Sequence, residues 1–413
     1  MVCPVSALPL GVIYFHLSSR LGVSSLSRCF PLLLLLVALS CLGSFEVLAY
    51  DPEREGWLLL VGVVGPEGEG ELDSALGSIR MVFDDANRGD GIFGRDLGIV
   101  KVEPRGDGSG VLKTVEGWSS RPLVAVLSFA GDELNLKLAE LLDGKGIPFI
   151  GVFSERGEVL RRADGSLRPN AFSFLLGEDY LWRSIHAYVT FMGFRSFAIV
   201  YEILDQVMLD NALSLSQALI SSSVASAPLG VRGSRLVNFV PQVMQIQRGG
   251  FEAIGAFLGY RDIMKLSAAA EELNLRIPIL VGVRRVDDMP LGSYRRLEGS
   301  LWFDQLEPIG KLGDMAAFRT FYFVRNRAYP ADLRMAYAAF SSARWLVEGF
   351  RAGGGHSREA LRRGLERVYD LDLFGVSFGV DASSHRPVRR PVAVVRLEDG
   401  GYRWIDTIYV SSR

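Results

Sequence analysis

The sequence predicts an α/β fold made of two doubly wound parallel-sheet lobes. Two observations carry that expectation. Apolar strand-like runs alternate with helical periodicity, and the alternation comes as two separate series before the pattern changes near the end. The length, 413 residues, is enough for two or three domains of ordinary size.

The first series opens with Trp57-Leu-Leu-Leu-Val-Gly-Val-Val64, a continuous apolar run expected of a strand buried on both faces. Leu76, Ile79, Val82, Phe83 and Ala86 then recur at helical spacing. Strands are expected at 97–102, 123–127 and 147–150, with helices at 111–118 and 133–143 between them. The second series is expected to place helices at 179–192, 209–221, 240–248 and 261–273. Its strands fall at 196–201, 253–257 and 277–281, with the region 228–239 left without an assignment. Three helices (313–326, 331–351, 357–368) follow. The end reads as strands at 376–380, 392–397 and 402–409, with Asp399-Gly400-Gly401 as a hairpin turn.

Apolar residues make up 49% and charged residues 22%, which marks a globular chain. A net charge of −2 lacks the basic excess of a nucleic-acid binder or a polybasic membrane-surface protein. Near the N-terminus Arg20 and Arg28 precede Pro31-Leu-Leu-Leu-Leu-Leu-Val-Ala-Leu39, and small residues lead to Val47-Leu48-Ala49. A basic region, a short apolar run and a small-residue exit make a secretory signal peptide, expected over 1–49. The run is shorter than the ~20 residues of a membrane span. Cys3, Cys29 and Cys41 all lie in this leader, so the exported chain would carry no disulfide. Cys41 has a rival role as a lipidated N-terminus, although Leu39 is one place late for that signal.

Three patterns invite chemistry and fail on context. In "DDANRGDGIFGR" (Asp84 to Arg95), Gly89, Gly91 and Gly94 fit G-x-G-x-x-G. That fingerprint must follow a strand and open a helix, whereas here a helix precedes and a strand follows. The glycines read as helix-ending turn residues. RGD at Arg88-Gly89-Asp90 and again at Arg105-Gly106-Asp107 is read as a loop tripeptide. Gly375-Val-Ser377-Phe-Gly379 fits a nucleophile elbow, but turn residues follow it instead of a helix, and His385 lies too close. His16, His186, His356 and His385 are scattered, so no metal and no cofactor is expected. Acids stand after two strands: "GPEGEGELD" (Gly65 to Asp73), with Asp73 a possible helix N-cap, and Asp132-Glu133. They are cleft-mouth residues or acids that satisfy a helix dipole.

Several segments together resemble the type I periplasmic binding proteins, in particular the leucine/isoleucine/valine-binding family of ABC transporters. Asn87-Arg88-Gly89-Asp90-Gly91-Ile92-Phe93-Gly94-Arg95 stands where that family has Asn-x-x-Gly-Gly-Ile-x-Gly-Arg. "GIPFIGV" (Gly146 to Val152), "FRSFAIVYE" (Phe194 to Glu202), "FEAIGAFLGYRDIMKLSAAAEELNL" (Phe251 to Leu275), the late helix from Met335 to Gly355 and the close "FGVSFGVDASSHRP" resemble it too.

The resemblance implies two lobes joined by a three-segment hinge. The crossings are placed near 176, 301 and 372, giving one lobe of 57–175 and 302–371 and another of 177–300 and 373–411. It also implies a small-molecule ligand in the cleft, an ABC permease as membrane partner, an exported location, no enzymatic activity and a monomer. The family's ligand positions fall on Asp132, Glu133, Ser154, Glu155, Tyr260 and Arg284. An acidic set thus stands where the family places hydroxyls for a ligand carboxylate, and Arg284 stands near the usual ammonium-binding acid. Unpaired buried charge is costly. The expected ligand is therefore an unusual one: a cationic group facing Asp132 and Glu133, or an anionic group facing Arg284 and Arg285. Pairing of these charges with one another, with no small ligand, is the alternative. So is a sensory or interaction module on the same fold without transport.

Overall fold

The computed structural model describes residues 58–66, 71–105, 108–232, 238–283, 295–305 and 313–411. Both expected leader features, the signal peptide and Cys41, lie outside these residues.

The first series folds as β1 (Leu58–Val64), α1 (Glu71–Arg88), β2 (Asp96–Val102), α2 (Ser109–Trp118), β3 (Leu123–Ser128), α3 (Asp132–Asp143), β4 (Phe149–Gly151), α4 (Gly157–Leu160) and β5 (Ala171–Ser173). Among the described residues its sheet has the order β2-β1-β3-β4-β5, and every pairing is parallel. Strand side chains alternate between faces. Leu59, Val61 and Val63 enter one core with α1, whereas Leu60 and Val64 enter another with α2 and α3. A strand apolar at every position thus feeds two cores.

The second series folds as α5 (Tyr180–Met192), β6 (Ser196–Glu202), α6 (Gln206–Ser221), β7 (Ala225–Val231), α7 (Val240–Gly249), β8 (Ala253–Phe257), α8 (Tyr260–Glu272), β9 (Ile279–Val281) and β10 (Leu301–Asp304). Then come α9 (Gly313–Asn326), α10 (Leu333–Gly353) and α11 (Arg358–Leu365). Short strands β11 (Leu371–Leu373), β12 (Val376–Phe378), β13 (Val380–Asp381) and β14 (Arg386–Pro387) lead to the long pair β15 (Arg389–Glu398) and β16 (Gly401–Ser411). The second sheet runs β16-β15-β10-β9-β8-β6-β7. It is parallel from β7 to β10 and antiparallel at β15 and β16. Phe197, Ile199, Val392 and Val394 pack toward α5 and α6, while Ala198, Val200, Ala393 and Val395 pack toward α7 and α8. Pro228, which cannot donate to a ladder, sits in the edge strand β7. The predicted hairpin forms: Glu398 pairs with Gly401, and Asp399 (φ 50°) and Gly400 (φ 76°) supply the left-handed turn.

"DDANRGDGIFGR" folds in the predicted order of helix, turn and strand. α1 stops at Arg88, and Gly91 (φ 60°) and Gly94 (φ 80°) turn the chain into β2. Asn87 fixes the turn: its Nδ2 donates to the Leu97 carbonyl (3.0 Å), and its Oδ1 accepts from the Leu97 amide (2.8 Å). A Cβ on Gly91 would collide with the Arg95 carbonyl, so the turn requires glycine there.

Two sequence readings are corrected. The strands β5 and β10 escaped periodicity because they span only three and four residues. β10 pairs with β9 and β15 of the second sheet, and Leu373, Phe378 and Val380 pack in the core with α10. Finally, Asp73 is not an N-cap, since α1 begins at Glu71. Among the described residues no helix is long and apolar enough to cross a membrane.

Candidate functional site

In a parallel sheet the loops beyond the strand C-termini are where ligands bind. In the first lobe those loops follow Ser128, Gly151 and Ser173. Their inner layer is a closed polar network. Ser128 Oγ donates to Asn135 Oδ1 (2.6 Å), and Asn135 Nδ2 donates to the Ala130 carbonyl (2.8 Å) and to Ser154 Oγ (2.8 Å). All three side chains are fully buried. The Ser154 hydroxyl therefore faces α3 and the β4 backbone, and it packs against Gly151. Its carbonyl accepts from Ser173 Oγ (2.6 Å). Buried polar groups are costly unless bonded, and here the network supplies the bonds.

The acids form the outer layer. Asp132 and Glu133 open α3 after Gly131, where acids favour the helix N-terminus. Asp132 is half-buried and Glu133 exposed. Glu155 is buried, and its Oε1 accepts from Gln305 Nε2 (2.7 Å). Sequence reasoning missed Glu178. Burial raises the pKa of its carboxyl above the usual value, and the nearby Glu158, Asp132 and Glu155 carboxylates add to that, with Arg156 acting in opposition.

The cation among these acids is Arg386, which sequence reasoning left among turn residues. Its guanidinium is buried and gripped by backbone. Nη1 donates to the carbonyls of Leu175 (3.2 Å) and Ser154 (3.5 Å), and Nη2 to those of Glu155 (2.7 Å) and Arg156 (3.1 Å). Burial pushes its pKa down, while Glu155, Asp179, Asp132 and Glu178 push it up. Guanidinium stays charged in proteins, so these acids surround a fixed positive charge of the chain itself.

Arg386 belongs to a larger hinge assembly. Arg390, fully buried on β15, donates to the carbonyls of Phe174 (2.6 Å) and Gln305 (3.2 Å) and lies 4.2 Å from the Phe174 ring centroid. Burial lowers its pKa to about 10, still charged at neutral pH. Gln305 Oε1 accepts from the Leu176 amide (2.8 Å). Arg334 of α10 pairs with Asp304 of β10 (2.8 Å), joining a first-lobe helix to a second-lobe strand. The signal for this assembly was weak: "SHRPVRRP" carries the arginines, but nothing in the string says that carbonyls of three separate segments will face them.

In the second lobe Tyr260 opens α8 directly after Gly259. Its ring packs against the core beside α7 and α8, and its hydroxyl is buried with no hydrogen-bond partner among the described residues. Arg284, like Arg285, lies outside the described residues. Two surface grooves lined by Pro278, Glu298 and Gly299 lie at the opposite, N-terminal ends of β9 and β10. Ser377 of the elbow-like motif sits on β12 and donates to Asp370 (2.6 Å), with no helix following. Among the described residues no group of three or more His, Cys, Asp or Glu is placed to hold a metal.

Two doubly wound lobes, crossed several times by the chain and joined by a buried polar hinge, define the two-lobed binding-protein class. The family profile described as "Periplasmic binding protein" matches residues 59–402, and the chain belongs to that family. Solved structures agree at the level of fold. An ABC transporter substrate-binding protein from Desulfitobacterium hafniense in complex with Leu is 14% identical, with a TM-score of 0.66, covering 84% of this chain and 100% of that one. A leucine-binding protein from Thermotoga maritima is 12% identical, with a TM-score of 0.59 and coverage of 85% and 98%. An ABC transporter substrate-binding protein from Sphaerobacter thermophilus is 16% identical, with a TM-score of 0.63 and coverage of 86% and 98%. A search of curated protein sequences gives no match. The membership among periplasmic binding proteins expected from the sequence is thus shown by the family profile, and the fold by the solved structures.

Proposed function

We propose that the chain is an exported solute-binding protein that captures a small polar ligand, an amino acid or related compound, in the interlobe cleft and presents it to an ABC permease. The observation that carries this reading is the hinge. Residues 174–176, 304–305 and 386–390 are bonded to one another through Gln305, Arg386 and Arg390, next to the loops beyond the first sheet's strand ends. A hinge of this kind lets two rigid lobes close on a ligand, and closure is what a partner can read. The lobes we assign are 58–175 with 313–380, and 180–304 with 389–411.

Asp132, Glu133 and Glu178 are proposed to face the ligand from the first lobe, and Tyr260 and Arg284 from the second. Ser154 and Glu155 are proposed to shape that wall through the positions of their backbone. Burial and then the neighbouring Glu158, Asp132 and Glu155 carboxylates raise the Glu178 pKa, and this crowding of acids favours a ligand with a cationic group. A second reading, an exported interaction module without transport, is favoured by one observation: the Ser154 hydroxyl and the Glu155 carboxylate both have partners inside the protein.

Thermal-shift screening against amino acids, amides, ureas, polyamines and aromatic acids separates the two. A ligand that binds only the native state raises the melting temperature by mass action, and a cationic compound is expected to do so. The absence of any stabilising compound would favour the interaction module. Stabilisation that survives charge reversal at both Asp132 and Arg284 would remove the proposed contacts.

A further inference from the structure

Gln305 is 2% exposed and sits where three chain segments meet the cleft wall. Its side chain uses both ends of the amide. Oε1 accepts from the Leu176 amide (2.8 Å) on the first crossing, and Nε2 donates to the Glu155 carboxylate (2.7 Å) in the loop after β4. Its own carbonyl accepts from Arg390 (3.2 Å) on the third crossing. Arg386 grips the Glu155 carbonyl from the same side (2.7 Å). One neutral residue therefore joins a cleft acid to all three hinge segments, through its side chain to the first and its own carbonyl to the third.

The amide suits this position. It must donate to a carboxylate and accept from an amide N–H at once, and a Gln side chain does both from its two ends. A carboxylate of the same shape would keep the acceptor and face Glu155 with like charge. A leucine would keep the volume and remove the Nε2 donor from a buried carboxylate.

We propose that Gln305 is a positioning residue that couples the Glu155 carboxylate to the interlobe angle. This inference deepens the solute-binding reading, because it names the link by which a charge arriving at the first-lobe wall would reach the hinge. Withdrawal of the Glu155 carboxylate toward such a charge frees the Nε2 donor and loosens the bond that holds the Leu176 and Gln305 segments in place. Arg386, Arg390 and the Asp304–Arg334 pair flank the link.

The test measures the interlobe distance without any ligand. Spin labels are placed on exposed positions of each lobe, Lys137→Cys on α3 and Gln217→Cys on α6. The background is the full chain with Cys3, Cys29 and Cys41 replaced by serine. Gln305→Glu sets two carboxylates face to face. At about pH 8 repulsion between the two is expected to shift the distance distribution to longer values. Near pH 5 a shared proton rebuilds one hydrogen bond, and the distribution is expected to return. The polarity swap Glu155→Gln with Gln305→Glu restores one donor facing one acceptor, and is expected to give the wild-type distribution at both pH values.

A position that only fills space would show no pH dependence in Gln305→Glu and no rescue by the swap, and either result would overturn the proposal. If Gln305→Glu does not fold, the swap decides: a folded swap with wild-type distances supports the link, and an unfolded one sinks it. Failure of the thermal-shift screen would leave these distances untouched, so the two readings fail separately.

Discussion

Asn87, Gly91 and Glu178 show how much a single position can carry. The Asn87 side chain makes both bonds to Leu97 that close the turn after α1. Gly91 is held at φ 60°, where a Cβ would meet the Arg95 carbonyl. Gly91→Ala is therefore expected to lower stability by about 1–3 kcal/mol, the cost of a strained backbone position, as read by urea denaturation. A matched Gly110→Ala, where nothing lies near the added methyl, is expected to be neutral or stabilising. Glu178 works in the opposite direction. Its carboxyl has a raised pKa in the folded state, so the folded chain binds that proton more readily than the unfolded chain. Ionised Glu178 thus costs stability above its folded pKa. Glu178→Gln is expected to raise the melting temperature at pH 7, and the gain is expected to shrink as pH falls toward the usual carboxyl value of 4.5. An unchanged difference across that range would mean that neither burial nor charge crowding of the Glu178 carboxyl is the cause.

At the scale of elements, α10 organises the first lobe. Fourteen of its residues are buried, from Met335 to Phe350. Asp332 caps its start by accepting from the amides of Arg334 (2.8 Å) and Met335 (2.9 Å). Its far end crosses α11 at Gly349 and Gly364 so closely that a Cβ on Gly364 would collide with the Gly349 carbonyl. Gly364→Ala is expected to force the helices apart and cost about 1–3 kcal/mol, as overpacking does, whereas helix propensity alone would make it stabilising. Guanidinium denaturation gives the sign directly.

The elements also show what the sequence revealed. Long strands with two buried faces, such as β1, and long amphipathic helices announce themselves through periodicity. β5 and β10 do not, because three or four residues are too few for a period to emerge. The candidate site divides in the same way. Asp132 was reachable because it follows a strand and Glu155 through the family resemblance, but Arg386, Arg390 and Gln305 were not. Their roles depend on backbone and side-chain groups contributed by distant segments, and local pattern does not encode those distances.

For the whole molecule, acid sensitivity follows from His385. Its ring is 2% exposed, stacked on Phe172 at 4.2 Å, and placed between the Ala171 carbonyl (2.9 Å) and Glu366 Oε1 (3.3 Å). Burial pushes its pKa below the usual 6.5; the two acceptors oppose that without reversing it, and Arg362 adds to the fall. The unfolded chain therefore takes up this proton first as pH drops. The associated stability is present above pH 6.5 and is lost as pH falls from there toward the folded pKa. His385→Phe is expected to flatten that part of the stability–pH curve in thermal denaturation. A wild-type slope that persists in the variant would assign the sensitivity to other groups.

The interlaced path of the chain bears on how the protein is made. The first lobe's core draws on residues from Leu59 to Val380, and the second lobe's inner strands on residues up to Val410. A ribosome must therefore deliver residues up to Val380 before the core around α10 can close, whereas the core with α2 and α3 is complete by Ala171. Long-range closure of the first kind is slow, so the half of the first lobe that packs on α2 and α3 can form while the rest of the chain is still being made.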